Sequence, residues 1–443
     1  MQRKTQVEES CRMNQIPRIM IVGGGAAGSE LATRLGDSLG KKGLAEINLI
    51  DSQRIHLWKP LLHEVASGSL DTGREALSYR AHSAEHDYYF HLGVFSGLNL
   101  ENQTLELAPL LDHHGKQVLP TRTLSYDYLV LALGSKCNDF GIKGVKRHCF
   151  TLDSSAEAED FHLTLLNRFL QFSETAQPNE KVKVAIVGGG ATGVELAAEL
   201  YATTDRLEQF GVHKIHHSSL SVTLIEAADR ILPVLPEALS NKAHRTLSDL
   251  GVDVQTNVLV KDVQANKLIT ADGEMDADLI VWAAGVKAPD FLKELGLTTN
   301  RINQVEITPS LQAKGFDNIF AIGDCGFLMK DDGRPVPPTA QAAHQMAATC
   351  AGNIRALVQA TPLSDFNYND HGALVSLSHF QALGNLIDEV MHKNWKVEGR
   401  VAHWAYASLY RQHQFALHGF WRTIWTMMVN LLEKRIKPKM KLY

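Results

Sequence analysis

Arg18-Ile19-Met20-Ile21-Val22 runs into Gly23-Gly24-Gly25-Ala26-Ala27-Gly28 and on to Ser29-Glu30-Leu31-Ala32-Thr33. Later in the chain, Lys183-Val184-Ala185-Ile186-Val187 runs into Gly188-Gly189-Gly190-Ala191-Thr192-Gly193 and then Val194-Glu195-Leu196-Ala197-Ala198. Each copy reads as a short buried strand, a G-x-G-x-x-G turn and the opening of a helix, the setting in which that motif binds a dinucleotide. The first Gly permits the tight turn, the second lets a pyrophosphate approach the backbone, and the third lets helix and strand pack closely. The helix start offers free N–H groups and the positive end of its dipole to phosphates. One such turn alone is a weak signal. Two copies with further matching parts are a strong one.

Those further parts are present. Glu46-Ile47-Asn48-Leu49-Ile50 is a strand ending in Asp51, and Ser221-Val222-Thr223-Leu224-Ile225 is a strand ending in Glu226. A carboxylate there accepts from ribose hydroxyls and repels a 2′-phosphate, so Glu226 argues for NADH over NADPH. Asp127-Tyr128-Leu129-Val130-Leu131-Ala132-Leu133-Gly134 mirrors Asp278-Leu279-Ile280-Val281-Trp282-Ala283-Ala284-Gly285. Each begins with Asp and leaves through small residues, which puts Ala132, Gly134, Ala284 and Gly285 beside the two nucleotides. Glu195 follows Gly193 by two residues and is expected in the first helical turn, where the dipole favours a carboxylate. Glu30 holds the equivalent place in the first copy.

The 443-residue chain is 44% hydrophobic and 21% charged, which excludes a disordered chain, a collagen-like repeat and a multi-span membrane protein. Five scattered cysteines form no C-x-x-C pair and suit a reduced, intracellular protein. No apolar h-region marks a secretory signal, and residues 1–16 read as a disordered lead-in. Twenty scattered His lack ligand spacing, so no metal site is expected. The formal charge of −5 hides an asymmetry. From Met391 onward there are ten Lys/Arg against two acids, a net +8, which leaves −13 on the first 390 residues.

Two adenine dinucleotides on one chain point to FAD and NADH, and so to hydride transfer from nicotinamide to flavin. The fold class expected is α/β, with two Rossmann-like dinucleotide-binding domains and a C-terminal amphipathic helical region. The flavin part is read over 17–150 and 303–390, the NADH part over 151–302, and the tail over 391–443. The order of the two fingerprints, followed by Asn318-Ile319-Phe320-Ala321-Ile322-Gly323-Asp324, resembles the two-dinucleotide flavoprotein reductases. In that family the Asp, here Asp324, binds the ribityl or phosphate region of FAD; a helix N-cap is the other role open to it. Disulfide-reducing members carry a C-x4-C pair where this chain has His56-Leu57-Trp58-Lys59-Pro60-Leu61-Leu62-His63-Glu64-Val65. Without those cysteines, the terminal acceptor must reach the flavin directly.

Pro337-Pro338-Thr339-Ala340-Gln341-Ala342-Ala343-His344-Gln345-Met346-Ala347 contains A-Q-x-A-x-Q, with prolines that set a helix start. In a helix Gln341 and Gln345 share one face, and the Ala residues beside them let a flat ring approach. This stretch, with Asp370-His371-Gly372-Ala373-Leu374-Val375-Ser376-Leu377-Ser378, resembles the type II NADH dehydrogenases, single-chain NADH:quinone oxidoreductases, and the proteobacterial ones in particular. The resemblance spans Arg18 to Tyr443. It implies FAD held by Gly23, Gly25, Ala26, Ala27, Gly28, Asp51, Lys59, Val94, Ala132, Gly134, Asp324, Ala340 and Gln341. It implies NADH held by Gly188, Gly190, Thr192, Gly193, Glu195, Glu226, Ala284 and Gly285. Glu195, Gln341, Gln345 and His371 are its catalytic candidates, Glu195 as a group implicated in quinone protonation. A ubiquinone or menaquinone acceptor, no proton pumping, a homodimer and a peripheral place on the cytoplasmic face of the inner membrane are implied too. The alternative is a soluble NADH-dependent flavin reductase or oxidase using oxygen or a ferredoxin; a sulfide:quinone oxidoreductase or a non-catalytic NADH sensor are further rivals.

From Val401 the pattern turns helical, and Phe415 to Leu432 holds a single charge, Arg422. On a helical wheel Phe420, Trp421, Ile424, Trp425, Met428, Leu431 and Leu432 form one stripe, with Arg422, Thr426, Asn430 and Glu433 opposite. Such a wheel, followed by Lys434-Arg435-Ile436-Lys437-Pro438-Lys439-Met440-Lys441, fits a helix lying in a membrane interface. A helix packed on the body or on a second subunit is the other reading. No motif supports nucleic-acid binding.

Overall fold

The computed structural model describes residues 16–175, 177, 180–209, 215–377, 381–388, 393–398 and 400–436. The lead-in, Ile16 apart, and Lys437, Lys439, Met440 and Lys441 of the basic run lie outside them, as do the side chains of Trp395, Trp404, Leu431 and Leu432. The chain divides into two compact units, one of residues 16–56, 77–135 and 287–368, the other of 57–76, 136–286 and 369–436 within the described part.

The first unit is built on a five-stranded parallel sheet in the order Ile319–Ala321, Tyr128–Leu131, Arg18–Val22, Glu46–Asp51, Tyr89–Leu92. Its central strands are near-continuous apolar runs because helices cover such sheets. Ile19, Ile21, Leu49, Val130 and Phe320 are fully buried in one core. Helix Ala26–Leu35 follows the first strand and packs on helix Ala340–Val358.

The second unit repeats the plan with four parallel strands, Asp253–Gln255, Leu220–Ile225, Val182–Val187 and Leu279–Trp282. Helix Ala191–Gln209 follows its fingerprint strand. Helices Leu62–Ser67 and Ser155–Thr175 complete its core, with Phe161, Leu165, Val194 and Leu196 fully buried.

Register makes the two units equivalent residue by residue. Val22 aligns with Ile50 and Leu131, and Val187 aligns with Ile225 and Trp282. Gly23 N–H donates to the Ile50 carbonyl and Gly188 N–H to that of Ile225, both at 2.8 Å. The Asp that opens each exit strand also gains a role: Asp127 accepts from the Arg18 N–H and Asp278 from the Lys183 N–H, both at 2.7 Å. Each carboxylate thereby satisfies a backbone donor at the start of its fingerprint strand, that of the first residue in Arg18–Val22 and of the second in Val182–Val187.

The tail belongs to the second unit. Helix Arg400–Ile436 is broken at Gly419, whose φ of 72° and ψ of 172° suit glycine and interrupt the helical ladder. Tyr410 stacks on Trp58 with ring centroids 5.2 Å apart and donates to Glu75 at 2.9 Å. Leu417 and Thr423 are buried, and the Thr423 hydroxyl lies within 2.8 Å of the Gly419 carbonyl it donates to. Beyond the break Phe420, Trp421, Trp425, Met428 and Val429 are 50–75% exposed. Ile424, expected on that stripe, is instead half-buried beside Thr423. No helix among the described residues is long and apolar enough to cross a membrane.

Candidate active site

Both fingerprint turns leave the carboxyl edge of their sheet, where ligands sit in open α/β sheets. A Cβ on Gly28 would stand 1.8 Å from the Gly23 carbonyl oxygen, and one on Gly193 would stand 2.0 Å from that of Gly188. Those glycines serve helix-to-strand packing. A Cβ on Gly25 or Gly190 would meet nothing within 4 Å. The second glycine of each turn therefore fronts open space, a cradle a side chain would fill, at the start of a helix of ten or more residues. This is what a pyrophosphate requires of the chain. Ala26 is half-buried, Ala27 is buried and Thr192 is exposed at those helix starts.

The strand-end carboxylates match as well. Asp51 Oδ2 accepts from the Gly24 N–H at 2.6 Å and Oδ1 from the Gln53 N–H at 2.7 Å. Glu226 Oε2 accepts from the Gly189 N–H at 2.6 Å and Oε1 from the Ala228 N–H at 2.8 Å. Each acid is clamped to the middle glycine of its own turn and points to one place, despite the longer crossover before Glu226. Burial raises the Asp51 pKa against these backbone donors. Arg230 donates to the Pro233 carbonyl at 3.2 Å.

In the first unit Asp324 lies in a short 3-10 turn, Gly323–Cys325, and accepts from the Ser135 hydroxyl at 2.6 Å and N–H at 3.1 Å. It thus ties the returning strand to the loop after Ala132 and Gly134. A Cβ on Gly323 would sit 3.4 Å from that of Ala27 and 3.6 Å from that of Ala343, which brings the turn against two helices. Val94 follows Gly93, whose N–H donates to the Asp51 carbonyl, and is 55% exposed. Tyr79 donates to the Gly24 carbonyl at 2.6 Å from full burial, a prop for the turn that no motif announced.

Helix Ala340–Val358 is capped by Thr339, whose hydroxyl accepts from the Ala342 N–H at 3.2 Å, so Pro337 and Pro338 precede the cap. Gln341, His344 and Gln345 are half-buried while Ala342, Ala343, Met346 and Ala347 are buried. The two amides therefore share one face, with Tyr368 donating to Gln341 at 3.4 Å.

The two helix glutamates correct the sequence reading. Glu30 and Glu195 are each fifth in their helices, in the second turn, and neither first turn holds an acid. Glu30, 1% exposed, is bonded to His344 Nδ1 at 2.6 Å. Glu195, 5% exposed, faces His63 Nδ1 at 3.4 Å. Histidines from other elements, not the helix dipole, meet both carboxylates. No motif marks either histidine, although the 341-to-344 spacing places His344 on the glutamine face.

In the second unit Lys59 pairs with Asp153 at 3.4 Å. Ala284 follows the exit strand Leu279–Trp282, and Gly285 adopts a φ of 62°. His371 is exposed at the start of strand Gly372–Leu377. Cys325 and Cys350, in the first unit, are fully buried; burial pushes the Cys325 thiol up to about 12 and raises that of Cys350 further. Neither is a thiolate at neutral pH.

Residues 17–347 match the family model of the pyridine nucleotide-disulphide oxidoreductases. The type II NADH:quinone oxidoreductase of Haemophilus influenzae is 48% identical over 441 residues, covering 96% of this chain and 99% of the relative. The enzyme of the same description from Staphylococcus saprophyticus is 28% identical, covering 83% and 89%. Among solved structures, NDH2 of Plasmodium falciparum in complex with NADH matches with a TM-score of 0.81 at 18% identity, over 97% of this chain and 100% of that one.

Proposed function

The chain belongs to the pyridine nucleotide-disulphide oxidoreductases and, among them, to the type II NADH:quinone oxidoreductases, and from that premise we propose how its residues divide the work. The observation that supports the reading best is the duplicated turn, with an open second glycine and a clamped strand-end carboxylate in each unit. FAD fits the first copy, where the start of helix Ala26–Leu35 would hold its pyrophosphate and Asp51 its ribose. We assign Asp324 to its ribityl chain, and Ala132, Gly134, Val94, Lys59, Ala340 and Gln341 as further contacts. When bound, FAD supplies the two-electron carrier between NADH and quinone. Gly188, Gly190, Thr192 and Gly193 hold the NADH pyrophosphate, Glu226 its adenosine ribose, and Ala284 and Gly285 flank it. Gln341 and Gln345 line the approach of the quinone, ubiquinone or menaquinone. Glu195 holds a proton for it, and His371 is a second donor.

Stopped-flow absorbance tests the assignment: the flavin band should bleach with NADH and return on addition of ubiquinone or menaquinone. A band that returns with oxygen or a ferredoxin, and not with either quinone, would overturn it. The raised thiols of Cys325 and Cys350 disfavour a sulfide-oxidising role.

Two substitutions separate the substrates. Glu226→Ala removes a charged acceptor for ribose hydroxyls, worth about 1.5–3 kcal/mol. KM for NADH should rise about 10- to 100-fold with kcat changing far less; an unchanged KM removes Glu226 from the site. Gln345→Phe should slow return of the flavin band at least about 10-fold while NADH still bleaches it. Equal slowing of both half-reactions would refute a quinone role.

We also place the enzyme at the cytoplasmic face of the membrane through the exposed apolar arm after Gly419 and the basic run beyond it. The expected homodimer is tested by sedimentation velocity of the FAD-loaded chain.

A further inference from the structure

Reduction of a quinone by NADH consumes one proton. NADH + H+ + quinone gives NAD+ + quinol, two electrons and one hydrogen coming from the nicotinamide and the second hydrogen from water. A buried proton holder must therefore be refilled from solvent once per turnover. Glu195 has a side chain only 7% exposed, so it cannot exchange with water unaided.

The neighbour that connects it outward is His63, on the short helix Leu62–Ser67 of the same unit. Its ring is 3% exposed and lies between two carboxylates. Nδ1 is 3.4 Å from Glu195 Oε2, and Nε2 is 4.0 Å from Glu64 Oε1. Glu64 is 29% exposed, so the ring joins an enclosed acid to one that water reaches. Other groups face this ring. Glu199, one turn beyond Glu195, accepts from the Ser69 hydroxyl at 2.6 Å and lies 3.7 Å from Arg206 Nη1. The Pro60 carbonyl accepts from the imidazole, and His162 of helix Ser155–Thr175 lies against Gly68 beside the helix end. Burial lowers the His63 pKa to about 4, against the opposing pull of Glu199 and Pro60. The ring is therefore neutral near pH 7, with one nitrogen to accept a proton and one to give it.

We propose that Glu64, His63 and Glu195 form a proton path from solvent to the quinone-reducing site. It rests on the reading of Glu195 as the group that protonates the quinone. After Glu195 gives up its proton, His63 Nδ1 passes one to the Glu195 carboxylate as Nε2 takes one from Glu64. Water then reprotonates Glu64, and a water-mediated shift of the ring proton from Nε2 back to Nδ1 restores the starting tautomer. No electron moves along the path. His63 and Glu64 act through Glu195 and are positioning residues in this sense.

The FAD-loaded full chain tests the path by comparing wild type with Glu195→Gln, His63→Gln and Glu64→Gln. Each variant should lower the ratio of the quinone half-reaction rate to the NADH half-reaction rate by at least about 10-fold. In the Glu64→Gln and His63→Gln proteins the loss should steepen with rising pH. Added imidazole should restore part of the rate to His63→Ala. A readout without turnover is the infrared carbonyl band of protonated Glu195, which should exchange with deuterated water more slowly in both path variants. Because Glu64 is partly exposed and His63 is enclosed, its variant remains informative if a His63 variant fails to fold. A normal rate ratio in Glu195→Gln would overturn the reading of Glu195 itself. A slowed Glu195→Gln beside Glu64→Gln and His63→Gln with wild-type ratios, pH profiles and band exchange would overturn the path alone.

Discussion

Gly193→Ala should destabilise the second unit by at least about 3 kcal/mol, the upper range for a methyl forced into packed surroundings. The added Cβ would lie 2.0 Å from the Gly188 carbonyl oxygen, a backbone atom fixed in the turn by the Gly188 N–H bond to Ile225. No rotamer change relieves such a clash, so helix Ala191–Gln209 must lift from its strand. Scanning calorimetry should show the melting temperature down by about 10 °C. Gly28→Ala should do the same in the first unit, where the distance is 1.8 Å. The neighbouring glycines give the contrast. Gly25→Ala and Gly190→Ala add a methyl to open space, so melting of the ligand-free chain should stay within about 1 kcal/mol of wild type. Their loss should appear as weaker FAD retention and a higher KM for NADH respectively. A Gly193→Ala chain melting like wild type would refute the packing role, and a Gly190→Ala chain with normal NADH dependence would refute the cradle.

That division of labour within one motif was legible in the sequence, because G-x-G-x-x-G is a backbone constraint that glycine alone satisfies. The exit strands and the Asp51 and Glu226 strand ends were legible for a related reason: buried parallel strands need continuous apolar runs, and a terminal acid breaks the run visibly. Other features were hidden because they depend on contacts distant in sequence. Asp127 and Asp278 were visible as a repeat, but their bonds to the Arg18 and Lys183 N–H groups required the register. Glu30 and Glu195 looked like favourable charges at helix starts. Moving each one turn inward turned them into buried acids whose partners, His344 and His63, come from other helices. His63 lies in a stretch whose most visible feature is the absence of cysteines. A histidine amid Leu61, Leu62, Val65 and Ala66, all of them buried, was the available sign of an enclosed polar group. Gly419 was also in plain view, and a lone glycine in a helical pattern marks a break.

The break decides what the tail presents, and the substitution that tests it is Trp421→Glu together with Trp425→Glu. Leu417 and Thr423 are buried at the bend, where the Thr423 hydroxyl donates to the Gln414 and Gly419 carbonyls, and the side chains beyond it divide into a buried side and an open one. Trp421 at 75% and Trp425 at 64% exposure are the largest apolar groups on the open side, joined by Phe420, Met428 and Val429. A patch of this size on water is costly unless something covers it. Seating each indole in a lipid interface contributes about 1.5–3 kcal/mol, so losing both removes at least about 3 kcal/mol and adds two charges that anionic lipid repels. Partition of the enzyme onto vesicles of anionic phospholipid should fall at least about 100-fold in a sedimentation assay. The NADH half-reaction, whose residues lie elsewhere in the fold, should bleach the flavin as before. Salt provides an independent axis: the basic run from Lys434 is screened within about 8 Å at physiological ionic strength, whereas indole burial is not. Raising ionic strength should therefore weaken wild-type binding only in part and abolish what remains in the double variant. Co-sedimentation of the double variant at the wild-type level would show that the arm packs against protein instead of lipid.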